Sequence, residues 1–193
     1  MEFLAQAHEI QQQSTRTAEK HLAKEYGINS LSILTSLSSL AFPLSFSYDF
    51  MHLLWENVIP NLILLWTGQY KGVDAGTEDY EIDEAVWRAI GAATSRSSST
   101  IPSAYGPRLP NIHDERHYYT ADMTSFWTIY LGPILLHRRF HHAKYYKHFI
   151  KLVAILNKCL QFEHSTEDIE FIRTGFIEWV EEFEQYVSYA LAR

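Results

Sequence analysis

Two consecutive amphipathic segments near the C-terminal end constrain the fold most. Between residues 141 and 162, Tyr145, Phe149, Leu152, Ile155, Leu156 and Leu160 recur at helical spacing. A second stripe follows: Ile169, Ile172, Phe176, Trp179, Phe183 and Val187. Ser165 with Asp168 reads as the N-cap pair that opens this last helix, and Glu167 and Glu170 lie near its positive end. Only 8 glycines and 6 prolines interrupt the 193 residues, while 47% hydrophobic and 15% aromatic content supplies the core of one domain. A single cysteine, Cys159, excludes a disulfide scaffold and reads as a core residue of its helix.

The rest of the chain continues the helical theme. Residues 2–26 read as one helix stopped by Gly27. A short helix is expected over 29–40, broken at Phe42-Pro43. Leu44 to Tyr48 alternates apolar and polar residues like a short strand. A lone strand is not stable, so either this is no strand or its partners lie outside the chain. Residues 50–67 read as an apolar helix bent or split at Pro60, followed by a polar loop to about residue 83. A helix over 83–95 turns Val86, Trp87 and Ile90 inward, and residues 95–110 form a loop. Thr120 caps a helix over 120–136 that Gly132-Pro133 interrupts. The fold class is therefore mainly α, with at most one or two short strands. The apolar run from Leu53 to Trp66 is too short to span a membrane, and the N-terminus lacks a signal-peptide pattern. No membrane partner is expected.

Net charge is −7, which disfavours whole-molecule steering toward nucleic acid. Its distribution is uneven. No acid occurs from Met123 to Phe162, where Arg138, Arg139, Lys144, Lys147, Lys151 and Lys158 fall; eight acids and two arginines occupy 163–193. Three explanations stand for the basic block. It could meet phosphates while its aromatics stack on bases. It could solvate a helix face, or it could pair with the acidic last helix.

Asp49 and His52 stand three apart at the head of the 50–67 helix and so share a face. Asp49 suits two roles, a helix N-cap and a hard oxygen ligand for Mg²⁺. His113-Asp114-Glu115-Arg116-His117 superficially resembles a zinc-protease motif, but Asp114 stands where the catalytic Glu belongs and the segment is a polar loop. His137 and His141 are also four apart. No Gly-rich phosphate loop or nucleophile elbow occurs.

The run from Phe42 to Asn57, with Ser47-Tyr48-Asp49-Phe50-Met51-His52 at its centre, resembles the central segment of CACTA (En/Spm-type) DNA transposases, a family abundant in mushroom-forming fungi. The likeness continues through Leu64-Leu65-Trp66-Thr67-Gly68, Ser125-Phe126-Trp127-Thr128-Ile129-Tyr130, Lys144-Tyr145-Tyr146-Lys147-His148-Phe149 and Gly175-Phe176-Ile177-Glu178-Trp179, and covers essentially the whole chain. It implies a DDE/D recombinase with an RNase H-like core, in which three acids bind two divalent metals, Mg²⁺ or Mn²⁺. Asp49 would be the second acid and a metal ligand, in an Asp-x-x-His motif at the end of a core strand. His52 would support the site or contact the scissile phosphate. The implied organisation is an N-terminal helix over 1–27, a remnant of the RNase H-like α/β core over 28–70 and a helical insertion over 71–193. Arg138, Arg139, Lys144, Lys147 and Lys151 become the DNA-facing set, transposon ends the partner, and the nucleus the location. The family's first Asp and third Glu lie beyond regions like the two ends of this chain. The resemblance therefore implies an internal fragment with one catalytic acid of three, inactive alone. The alternatives are a transposase-derived DNA-binding or regulatory protein, and a helical interaction module that self-associates through residues 165–191.

Overall fold

The computed structural model describes residues 2–41, 45, 49–70 and 78–191, and they divide into two compact units, residues 1–49 and 50–193. The protein is mainly helical, and no strand occurs among the described residues. Most of the expected strand at 44–48 lies outside them. Ser45 is described, and its N–H bonds Ala41 O in a turn at 2.8 Å.

The first unit holds α1 (Glu2–Gln11) and α2 (Arg16–Tyr26). The single helix expected over 2–26 is broken, because Thr15 adopts extended backbone and accepts from Ala18 N–H to start α2 afresh. A capping hydroxyl in the Gln12-Gln13-Ser14-Thr15 stretch outcompetes helix continuation. Gly27 ends α2 in the left-handed conformation at φ 66°, donating to Ala23 O, as its position implied. Ala7, Ile10 and Ile28 are buried, and Phe3 and Leu22 pack on them. The helix expected over 29–40 is reduced to one 3₁₀ turn, Ile33–Ser36, capped by Ser32.

The second unit carries the main core. Its first helix, α3, begins with a π-helical stretch, Met51–Val58, and continues as a regular helix, Ile59–Trp66. Then come α4 (Glu84–Ser97), α5, α6 (Ala143–Cys159) and α7 (Thr166–Leu191). Helix α5 joins Ala121–Phe126, a π-helical stretch Trp127–Leu131 and Gly132–Leu135. Pro60 and Pro133 therefore do not break their helices. Each follows a π turn, marked by the i→i−5 bonds Ile59 N–H to Leu54 O and Gly132 N–H to Trp127 O. A proline ring clashes with the carbonyl four residues back, and a widened turn makes room for it.

Helices α3 and α5 pack together, and α6 packs on α7. Trp127, Phe149, Leu152, Ile155 and Leu156 are fully buried at the centre. Each such side chain contributes roughly 1.5–3 kcal/mol. The Ser165–Asp168 cap forms reciprocally, with N–H to side-chain bonds of 3.0 and 3.1 Å. The α7 stripe is narrower than its sequence pattern. Trp179 is buried and Ile172, Phe176 and Phe183 are half-buried, but Ile169 is exposed and Val187 lies outside the described side chains. Leu160, at the end of α6, is also exposed. The division at 49/50 puts residues 50–70 with the later helices, because Leu54, Trp55, Leu62 and Trp66 belong to their core. It does not coincide with the boundaries the resemblance implied at 27/28 and 70/71.

Candidate functional site

The two members of the Asp-x-x-His pair belong to different units. Asp49 is exposed and ends the first; His52 lies in the π stretch of α3 in the second, with its imidazole 3.6 Å from Glu56. Among the described residues, no three His, Cys, Asp or Glu side chains come together as a metal cluster.

The basic block separates into two structural settings. After α5, Leu136 and Phe140 are buried and pin the ends of a turn, with Phe140 edge-on to Trp66 at 5.5 Å. Arg138 and Arg139 sit between these anchors and are exposed. Arg138 is held at φ 59°, a left-handed conformation unusual for a non-glycine residue. Tyr146 donates to Pro133 O at 2.8 Å and ties α6 to the end of α5. Lys144 and Lys147 are exposed on the opening turns of α6; the Lys144 ammonium lies 4.8 Å from the Tyr145 ring. That helix begins at His142 with no capping side chain and no acid in its first turn, so its N-terminal field adds to the four cations. His141 and His142 face Asp83 and Asp79 at 3.5 and 3.9 Å. The acids of residues 78–84 thus border the basic surface.

Lys151 and Lys158 meet carboxylates of α7 instead. Lys151 reaches Glu178 at 2.8 Å and Glu182 at 2.7 Å. Burial disfavours its charge, but the two carboxylates outweigh that and raise its pKa. Lys158 binds Asp168 at 2.8 Å and, with the Ser165 cap, lowers that carboxyl to about 2. Of the five residues expected to face DNA, Lys151 is therefore engaged within the fold, and Arg138, Arg139, Lys144 and Lys147 form the exposed group.

Buried His148 stacks on Trp179 at 4.6 Å between α6 and α7. Its Nε2–H donates to Trp179 O, and the Trp179 indole N–H donates to His148 O. Burial lowers the His148 pKa and keeps it neutral. Burial likewise raises the Cys159 thiol, which removes thiolate character.

The 111–119 segment builds a different arrangement from the zinc motif it resembles. His113 Nε2 lies 2.8 Å from Glu84 and Nδ1 lies 2.6 Å from Asp114. The bond to Glu84, then that to Asp114, raise the His113 pKa; the same contact lowers that of Glu84. With both ring nitrogens facing carboxylates, His113 is a clamped imidazolium with no lone pair for a metal or a base reaction. Gly91 makes the clamp possible. A Cβ there would overlap Asn111 Oδ1 and the His113 Cβ, so only glycine lets this loop lie against α4.

Beside this clamp lies a cavity of about 560 Å³, walled by the π-helical turns of α3 and α5 and by the 112–119 loop. Trp55, Trp87, Trp127 and Tyr119 line it, together with Glu56 and Arg116. Sequence pattern does not reveal it, because its walls come from four separate segments and its arginine sits in a loop with no motif. The two helical prolines were the available signal, since they mark π turns, which often occur at functional sites.

Comparison with known proteins finds no matching family model, no similar curated protein and no similar solved structure.

Proposed function

We propose that the chain is a segment of a DDE/D-type DNA transposase of the CACTA kind. In this reading the helical unit is the insertion that follows the second catalytic acid, and its exposed basic turn holds DNA. Residues 28–49 belong to an RNase H-like core. Asp49 supplies one carboxylate toward two Mg²⁺ or Mn²⁺ ions, and His52 supports that site. The observation that carries the reading is the abrupt start of a helical unit with its own core directly after Asp49. The exposed set of Arg138, Arg139, Lys144 and Lys147 at an uncapped helix N-terminus supports the DNA-holding role. This reading assigns one carboxylate of the metal site to these residues, and one carboxylate does not hold two metals, so it expects no cutting without the other acids.

The test is strand cleavage of duplex DNA with Mg²⁺ or Mn²⁺. The isolated chain is expected to bind DNA without cutting it. A protein extended to include an upstream Asp and a downstream Glu is expected to cut, and Asp49→Asn to abolish cutting. Cleavage by the isolated chain that disappears in Asp49→Ala, or cleavage by the extended protein that survives Asp49→Asn, contradicts the reading.

A second reading, self-association through the last helix, has one observation in its favour. Ile169, Ile177 and Val180 are exposed on α7. Trp179 is not part of that surface, because it is used within the fold. Concentration-dependent mass in sedimentation, lost in Ile177→Asp, is the expected result of that reading.

A further inference from the structure

Arg116 is a half-buried guanidinium, whereas every other described arginine is exposed. It lines the 560 Å³ cavity and has no carboxylate or hydrogen-bond acceptor among the described residues. Burial alone lowers its pKa, which reflects a guanidinium partly withdrawn from water. Trp55 and Trp87 line the same cavity, are 5% and 2% exposed, and have indole N–H groups with no acceptor among the described residues. Trp127, by contrast, spends its N–H on Thr94 Oγ1 at 3.1 Å. Buried donors in folded proteins are almost always paired, so two buried indole N–H groups and a half-buried guanidinium around one cavity call for acceptors from outside the chain, water or a ligand.

We propose that this cavity binds a planar monoanion, a flat ring system bearing one carboxylate or phosphodiester, with the anionic group on Arg116 and the ring among the tryptophans. A planar fork of N–H donors matches either anion in a bidentate pair. Single charge follows from the remaining wall. Glu56 and Asp114 line the cavity with Arg116 and His113, and Asp114 is engaged by Asn111 and His113, so two carboxylates near the anion site disfavour a dianion. The aromatic walls and the volume suit a small ring ligand. The two π-helical turns give the cavity its shape, since Trp55 and Glu56 come from one and Trp127 from the other. The site shares no residue with the basic turn, and the proposal does not rest on the transposase reading.

The experiment titrates the full chain with two probes, 2-naphthoate for a free organic acid and the dinucleotide dTpdT for a nucleic-acid strand. Calorimetry reads affinity, and NMR follows the five indole N–H signals. Saturable binding of at least one probe below about 1 mM is expected, with the Trp55 and Trp87 indole signals moving and that of Trp127 moving less. Arg116→Gln, checked for fold by circular dichroism, is expected to weaken binding about tenfold or more, and Arg116→Lys to restore part of it. Naphthoate binding alone points to a small-molecule ligand, and dTpdT binding alone to a strand. Absence of saturable binding by both probes, indole signals that stay still in the wild-type chain, or equal affinity in Arg116→Gln overturns the proposal.

Discussion

The basic block has two halves with opposite fates. Lys151 and Lys158 point into the seam between α6 and α7 and meet Glu178, Glu182 and Asp168 at 2.7–2.8 Å. Arg138, Arg139, Lys144 and Lys147 lie only a few residues earlier and stay exposed. A run of like charge is therefore not one feature. Bases on the α6 face toward α7 complement acids spaced along that helix. Arg138 and Arg139 on the turn before α6, and Lys144 and Lys147 on its opening turns, are exposed instead. Pairing with the last helix, one of the explanations open for the block in sequence, accounts for Lys151 and Lys158, and the proposed DNA contact falls to the exposed bases.

The largest effect that breaks this comparison comes from removing the seam itself. Trp179→Ala deletes a buried side chain that stacks on His148 and bonds its carbonyl. It is expected to cost about 3–5 kcal/mol in denaturant unfolding, and to free Lys151 and Lys158, making both halves alike. Acid tests the same seam. The His148 pKa is lowered in the folded protein by burial, so the unfolded chain takes up the proton first. Stability is then full above the ordinary histidine value of about 6.5 and falls as pH drops below it. The surrounding charges are Lys151 from its own helix and Glu182 from α7. In His148→Phe the pH dependence between about 7 and 5 is expected to flatten.

Smaller effects sharpen the contrast. Lys151→Met removes a half-exposed pair of contacts and is expected to cost at most about 1 kcal/mol, less in high salt. Asp168→Asn removes a carboxylate held at about 2 by Lys158 and the Ser165 cap. Because that pKa is depressed, its stabilisation is present above about pH 4 and lost as pH falls toward 2. Thermal unfolding should show the Asp168→Asn protein less stable than the parent at about pH 7 and equal to it near pH 2.

Local signals were legible in the sequence, and long-range ones were not. Gly27, Thr120 and the Ser165–Asp168 pair end or begin helices where their chemistry requires, because a cap is decided within a few residues. The stripes of α6 and α7 were readable for the same reason, apart from Leu160 and Ile169, whose sides the partner helix decides. The cap at Thr15 is hidden by a favourable helix composition over 2–26. Pro60 reads as a bend or split and Gly132-Pro133 as a break, yet a π turn accommodates each proline. Nothing in the linear order shows that Gly91 receives the 111–113 loop, or that Arg116 comes to line one cavity with Trp55 and Trp87.

The central proposal is that DNA is held by the exposed bases Arg138, Arg139, Lys144 and Lys147, and not by Lys151 and Lys158 in the seam. The direct measurement is fluorescence anisotropy of a labelled duplex across a salt series. It compares the parent chain, a variant with Arg138, Arg139, Lys144 and Lys147 changed to Ala, and a variant with Lys151 and Lys158 changed to Met. Four lost phosphate contacts should flatten the slope of log K against log salt by about 3 to 4, while the second variant keeps the parent slope. Absence of salt-dependent binding, or an equal loss in both variants, contradicts the account.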